Sequence, residues 1–221
     1  MKRLLFTIAL LNIFAALGQN KADSLRKAIG AGGNDSLRAS AMINLAGIHN
    51  NNGQHDSGVF YGKQALEIGR RIKNKAIEST SYATIGVCYH FAGKYKNALD
   101  NYLLSLKMEE AMDRKKKVAK ILNNIGVLYA DQRFFDLAEK SYLKSYKSYA
   151  ELKDTVGIIQ AGNNLGALYG NKSQIEKDSI MADQLVKKAV EFNTQTFEYA
   201  KKIKDRTNIT NSLANLGQNY L

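Results

Sequence analysis

The side chains that could perform nucleophilic or metal-dependent chemistry are few in this sequence. Cys88 is the only cysteine, and the three histidines are His49, His55 and His90. A reactive thiol needs a base beside it, but His90 lies two positions after Cys88 and would point elsewhere on a helix. No two histidines have the spacing that places two metal ligands on one helix face. The pattern predicts a buried, inert thiol, a packing role for His49 and no metal site.

Patterns for phosphate binding and for paired-carboxylate catalysis are also missing. The glycine-rich run 30–33 is not followed by the Gly-Lys-Ser/Thr of a phosphate loop, and the run 170–173 lacks the upstream glycine. Glu109 and Glu110 are adjacent, so on a helix they diverge by about 100°. We therefore predict no catalytic residues, no cofactor and no enzyme activity. The opposing hypothesis, an enzyme, would need its site on a short insertion described below.

A repeated motif predicts the elements that would position a binding site. Its small residues recur 40 positions apart, at Ala46, Gly86, Gly126 and Gly166. The motif returns at Gly217, 51 positions after Gly166, so one repeat carries eleven additional residues, which we place between Gly170 and about Val186, beginning with the polar run 171–177. Apolar residues at i, i+3, i+4 and i+7 around each small residue indicate an amphipathic helix.

Each motif is followed by a second half that indicates another helix. Twelve positions after the small residue stands a second one, and four positions later a tyrosine or its replacement, once the eleven additional residues of the fourth repeat are left out. These pairs are Gly58 and Gly62, Ala98 and Tyr102, Ala138 and Tyr142, and Ala189 and Asn193. The small residues let two helices approach closely. Gly53 and Gly93 suit the left-handed position that ends a first helix, and Arg133 takes the same place at a modest cost in strain.

This arrangement resembles the tetratricopeptide repeat, in its 40-residue variant. The resemblance covers residues 37–221 and implies an all-α fold, a right-handed solenoid of antiparallel helix hairpins. The sequence departs from the family pattern in having no tryptophan and no proline. We place a lead-in helix and glycine-rich link at 19–36, and the repeats at 39–76, 79–116, 119–156, 159–207 and, incomplete, 210–221.

The resemblance also implies a ligand-binding concave face formed by first-helix positions. These are Thr80, Ala83, Val87 and His90, then Lys120, Asn123, Val127 and Ala130, then Gln160, Asn163 and Ala167. Such a groove is small, polar and amide-rich, and suits an extended peptide or a helix. We expect the neighbouring Asn124 and Asn164 only to bond nearby backbone. The set of lysines, arginine and asparagines with which some family members grip a terminal carboxylate is missing here.

The N-terminus has the pattern of an export signal. A basic start, Met1 to Arg3, precedes an apolar stretch from Leu4 to Leu17, and small residues then suit cleavage after Gly18. Fourteen residues are short for a bilayer, which needs about 20. We predict a signal peptide at 1–18 and an exported, periplasmic protein. The alternative is an uncleaved anchor; a membrane association beyond that would require a C-terminal extension.

The formal net charge is +12, which would also suit nucleic acid or an anionic membrane surface. The basic clusters Arg70-Arg71, 114–117 and Lys201-Lys202 are expected at the ends of second helices, where cations offset the helix dipole. We therefore favour a protein or peptide partner, with no nucleic acid. The resemblance to exported sensory regions of bacterial membrane regulators suggests a sensory or adaptor part of a signalling system. A basic cytosolic scaffold on nucleic acid or a membrane surface is the alternative.

Overall fold

The computed structural model describes residues 22–30 and 34–218, and every regular element in these ranges is an α-helix. Helix α1 covers residues 22–30. The others, in chain order, are α2 Asp35–Asn51, α3 His55–Arg71, α4 Lys75–Phe91, α5 Tyr95–Ala111, α6 Lys115–Asp131, α7 Phe135–Glu151, α8 Thr155–Ile175, α9 Ser179–Lys202 and α10 Arg206–Gln218. The predicted all-α fold of antiparallel helix hairpins is confirmed.

Several sequence-based expectations fall on parts of the chain that the structure does not describe. The predicted signal peptide at 1–18, the link at 31–33 and the last residues, 219–221, lie outside the described residues. Within the described part, no helix has both the length and the apolar character that a membrane span requires.

The helices from α2 to α7 recur with a period of 20 residues. Each contains 17 residues and is separated from the next by a three-residue turn. Every such turn has a left-handed residue at its centre: Gly53, Lys73, Gly93, Asp113, Arg133 and Lys153. The N–H of the next residue then donates to a carbonyl five positions back, as from Gln54 to His49 at 2.9 Å, which satisfies a free carbonyl at the helix end.

These turns confirm part of the prediction and extend it. Gly53, Gly93 and Arg133 have φ values of 75°, 71° and 61°, as expected from their place after the first helices. The sequence did not reveal that the turns between hairpins use the same geometry with lysine or aspartate, as at Lys73 and Lys153, both at 54°. A non-glycine residue there carries strain, which the capping hydrogen bonds must offset.

The chain divides into two compact bodies, one ending at Met108 and the other beginning at Glu109. In the first body α3 packs against both α2 and α4, and in the second α7 packs against α6 and α8. Helix α9 packs mainly against α8, and α10 packs against both of them. Within each body, first helices of successive repeats are also neighbours, α2 beside α4 and α6 beside α8.

A glycine facing a tyrosine forms the centre of two hairpins, as the motif predicted. A Cβ atom added to Gly126 would lie 2.5 Å from Cδ1 of Tyr142, and one added to Gly86 would lie 2.7 Å from Cδ1 of Tyr102. Both tyrosines are buried, with at most 3% of their surface exposed. The small residue is therefore required by the ring that packs on it.

In the first and fourth repeats, other residues replace the glycine–tyrosine contact between the two helices of the hairpin. Gly62 stands where the later repeats have tyrosine, and Cγ1 of Ile85 from α4 fills the space, 2.7 Å from an added Cβ. In the fourth repeat Gly166 faces the fully buried Asn193. These substitutions, which weakened the repeat pattern in the sequence, are compensated by neighbouring side chains.

A hydroxyl group that was missed in the sequence recurs at one position of the second helices. Ser105 donates to the carbonyl of Ser79 and Ser145 to that of Ala119, both at 2.8 Å. Thr196 stands at the corresponding place in the fourth repeat and donates to Oδ1 of Asn163 at 2.8 Å. Each bond joins the two helices of one hairpin through a buried polar group, so it fixes how those two helices face each other.

The eleven additional residues lengthen the two helices that meet between Gly170 and Val186. Helix α8 has 21 residues and α9 has 24, against 17 in the preceding helices, so α8 is four residues longer and α9 seven longer. The tip of this hairpin carries exposed apolar side chains, Ile175, Ile180 and Met181. Polar residues such as Lys172 and Ser173 therefore continue a helix here.

Cys88 is fully buried against Gly58 of α3, as predicted, and burial raises the pKa of its thiol to about 11. At about pH 8 the thiol is therefore protonated, and the reactive thiolate is scarce. We expect a chromogenic disulfide reagent to modify native protein about 100 times more slowly than urea-unfolded protein, because burial also blocks access. The unfolded chain is the control and should release one equivalent. Rapid modification of the native protein would contradict the buried placement.

Candidate functional site

The first body brings its predicted site residues together on α4. Thr80, Ala83 and Val87 are half-buried along one side of this helix, and His90 is buried at its end. Thr80 also lines a groove of about 390 Å³ between the N-terminal halves of α2 and α4. The other walls are serine, asparagine, isoleucine and alanine side chains, so this groove carries polar groups and no charge.

The second body contains a larger groove of about 650 Å³ that includes two predicted site residues. Lys120 of α6 and Gln160 of α8 are both exposed and line its sides. The α7–α8 turn and the start of α8 close one end, where Leu152 and Val156 are 40% and 48% exposed. The groove therefore combines a cation, an amide and apolar surface. Val127, Ala130 and Ala167 are half-buried further along the same helices.

Asn163 is engaged inside the protein. Its Oδ1 accepts hydrogen bonds from the hydroxyls of Thr196 and Ser212, both at 2.8 Å, and its Nδ2 donates to Asn208 at 3.2 Å. Only 9% of its surface is exposed. A ligand could reach this amide only by breaking bonds that join α8, α9 and α10, so the structure favours a structural role for Asn163.

The expectation that Asn164 bonds only nearby backbone is wrong. Its Nδ2 donates to Oδ1 of Asn123 at 3.0 Å, which links α8 to α6 through two side chains. Asn123, a predicted ligand-binding residue, therefore has one of its oxygen lone pairs occupied while its amide N–H groups remain for a partner. The amide-rich surface predicted from the sequence is partly a contact between repeats.

The basic clusters divide into two kinds. Arg70-Arg71 and Lys201-Lys202 lie in the last turns of α3 and α9, where cations offset the helix dipole as expected. Residues 115–117 contradict the expectation, because they form the first turn of α6, with Arg114 before it. The length of α5 decides this: it ends at Ala111, three residues before the cluster.

The groove in the second body has lining residues that the sequence did not indicate. They are Asp113, Arg114, Lys115, Lys116, Lys117, Tyr149, Leu152, Asp154, Val156 and Gly157. Lys116 Nζ lies 2.7 Å from Oδ2 of Asp154, and this hydrogen bond holds the pKa of the Asp154 carboxyl below its usual range. The same carboxylate caps α8 by accepting from Gly157 N–H. The basic run was visible in the sequence, but its neighbours come from the α7–α8 turn.

The histidines have packing partners. His49 stacks on Tyr61 with ring centroids 5.2 Å apart, and its Nδ1 lies 2.5 Å from Oε1 of Gln54. His90 contacts the rings of Phe91 and Tyr95. Within the described ranges, no three His, Cys, Asp or Glu side chains are grouped closely enough to hold a metal ion. The histidines of the described ranges are therefore engaged in packing and hydrogen bonding.

Comparison with known proteins agrees with this arrangement. A sequence model of the tetratricopeptide repeat matches residues 37–111. The photosystem I assembly protein Ycf3 of Rippkaea orientalis is 30% identical over 129 residues, which cover 57% of this chain and 69% of that protein.

Among solved structures, a signal transduction ATPase from Pyrococcus horikoshii with a tetratricopeptide repeat sensor has a TM-score of 0.76 at 16% identity, over 97% of this chain and 32% of the other. BtubC from P. vanneervenii has a TM-score of 0.63 at 18% identity, over 93% and 87%. At such identities these two show the fold alone. The chain belongs to the tetratricopeptide repeat family and is a helical scaffold of the protein-binding kind.

Proposed function

We propose that this chain is a non-catalytic adaptor that holds an extended segment of a partner protein against its first helices. The observation that carries the proposal is the groove between α6 and α8, which is open to solvent and contains Lys120 and Gln160. A side-chain amide can bond the backbone of an extended peptide in both directions, because it carries a donor and an acceptor. The exposed Leu152 and Val156 add apolar surface that a bound side chain would cover.

The named relative supports an adaptor that acts in assembly. Ycf3 is described as an assembly protein for photosystem I, and it shares 30% identity with this chain over 129 residues. An assembly adaptor must hold another protein transiently, which an open groove with exchangeable polar contacts permits. A sensory or adaptor role in a periplasmic signalling system remains our second proposal and rests on the resemblance to exported regulators.

Site-directed photo-crosslinking in the native cells tests the adaptor function. A photoreactive residue placed at Gln160, in the groove, should yield one dominant higher-mass adduct with another protein. The control is the same residue placed at Lys144, which is exposed on α7 in the same body. We expect the Lys144 position to give no more than background. Equal adducts from both positions would contradict a binding groove on the first helices.

Export is a separate proposal, supported by the N-terminal pattern. A basic start and a short apolar stretch are the features that the secretion machinery recognises. Immunoblotting of fractionated cells should show the protein in the periplasm, at a mass lower than that of the precursor by the signal peptide. A cytosolic protein of full mass would overturn export and leave the binding groove unaffected.

A further inference from the structure

We propose that the groove between α6 and α8 is specific for an acidic peptide segment, a proposal that rests on the adaptor function above. Cations outnumber carboxylates among its walls. The carboxylates are Asp113 and Asp154, and the cations are Arg114, Lys115, Lys116, Lys117 and Lys120. A groove lined mainly by one sign of charge raises the local concentration of ligands of the opposite sign.

Internal ion pairs leave most of this positive charge uncompensated. Lys116 pairs with Asp154 at 2.7 Å, and Nε of Arg114 lies 3.2 Å from a Glu109 carboxylate oxygen. Lys115, Lys117 and Lys120 are exposed and form no ion pair with any described residue. These three ammonium groups are therefore available to a carboxylate-bearing ligand.

Helix stability does not explain why these lysines are where they are. Residues 115–117 occupy the first turn of α6, and that turn has no acidic residue. The N-terminus of a helix carries a partial positive charge, so cations there lower helix stability. Arg114, at the N-cap position, makes no capping hydrogen bond with its side chain. A cluster that opposes the helix dipole is better explained by a ligand than by folding.

The corresponding groove in the first body shows that the repeat itself does not demand this charge. Eighty positions before Lys116 and Lys120 stand Ser36 and Ser40, which line the groove between α2 and α4. None of the residues lining that groove is charged. The two grooves share the backbone arrangement and differ in charge, so the positive charge is a property of the second groove alone.

The remaining walls favour a peptide over a nucleic acid. Leu152 and Val156 present apolar surface beside the lysines, which suits an acidic segment that includes an apolar side chain. Binding of single-stranded nucleic acid relies on aromatic faces that stack on bases. Tyr149, the aromatic residue of this groove, is 3% exposed and offers no such face. We therefore assign the groove to acidic peptide.

Fluorescence anisotropy with the full chain tests this assignment. The probe is a labelled peptide of alternating Glu and Ala with one central Leu, compared with the same peptide carrying Gln for Glu and with a single-stranded oligonucleotide of equal charge. The site variant is Lys117→Gln with Lys120→Gln. The control variant is Lys144→Gln with Lys147→Gln, which removes the same charge from exposed positions on α7.

We expect the acidic peptide to bind, and its affinity to fall about tenfold in the site variant and with added salt. The control variant should bind like the parent. The site variant should also unfold at a temperature equal to or above that of the parent, because a cation leaves the N-terminus of α6. If these lysines instead stabilised the fold, their replacement would lower the unfolding temperature.

Three results would overturn the assignment. Equal losses in both variants would mean that net charge alone attracts the peptide, and tighter binding of the oligonucleotide through the same lysines would indicate a phosphate site. If the peptide fails to bind while the Gln160 crosslink captures a partner, the proposed specificity for acidic peptide is wrong and the adaptor function is unaffected. If the crosslink fails as well, both proposals are wrong.

Discussion

Replacement of Gly126 with alanine should lower the free energy of unfolding by about 2 kcal/mol, although alanine is the better helix former. The added methyl group would lie 2.5 Å from both Cδ1 and Cε1 of the Tyr142 ring, closer than van der Waals contact allows. The ring is 3% exposed and has no free space to move into, so either the ring or the helix must shift. Urea unfolding followed by circular dichroism measures the change.

Gly47 provides the matched control. It is also inside a first helix, α2, but nothing lies within 4 Å of a Cβ atom built on it. Gly47→Ala should therefore raise stability by up to about 1 kcal/mol, because only the intrinsic helix preference changes. If Gly126→Ala stabilises the protein as Gly47→Ala does, the close approach of α6 and α7 is wrong.

Replacement of Tyr142 with alanine should have the larger effect, a loss of about 4 kcal/mol. The ring belongs to the core cluster that Ala138, Leu165 and Leu168 also form, and its removal leaves a cavity against α6. Tyr142→Phe keeps the ring and should retain most of the stability. A shift of the thermal unfolding midpoint measures both, and similar midpoints for the alanine variant and the parent would contradict the packing.

The two substitutions should also be coupled. In the variant that carries both Gly126→Ala and Tyr142→Ala, the added methyl group enters the space that the ring has left. This double variant should therefore be more stable than the sum of the two single effects predicts. Residues in direct contact commonly show such coupling energies, of about 0.5–3 kcal/mol. Additive effects would show that Gly126 and Tyr142 act independently, against the geometry described here.

The sequence predicted the hairpins because their packing depends on a few residue types at fixed spacing. A glycine and a tyrosine sixteen positions apart face each other across a hairpin, as Gly86 and Tyr102 do, and this spacing recurs in the next repeat at Gly126 and Tyr142. The left-handed glycine at 53 was predictable for the same reason. Left-handed lysines such as Lys73 were not, because nothing in a lysine indicates this conformation.

The candidate site was predictable only in part. Lys120 and Gln160 follow from the repeat register, and both line the groove. The basic run at 114–117 was assigned to the wrong end of a helix, because Arg114 carries no side-chain capping signal that would mark the start of α6. Leu152 and Val156 join the groove through the α7–α8 turn, which is a tertiary relationship that spacing alone does not contain.

The buried hydrogen bonds of the fourth repeat could not be predicted from the repeat pattern either. Asn163 has the register of a ligand-binding residue, yet it accepts hydrogen bonds from two buried hydroxyls, of Thr196 and Ser212. Whether an amide faces a ligand or a neighbouring helix depends on what packs beside it. Helix α10, which supplies Ser212, therefore decides the role of Asn163.

Mass spectrometry of the adduct formed by a photoreactive residue at Gln160 in native cells would identify what the groove binds. We expect one contiguous segment of one partner protein, rich in Asp and Glu and containing an apolar residue, joined to the groove. Fragments from many unrelated proteins, or an adduct of equal yield at Lys144 on α7, would contradict a groove that selects its partner.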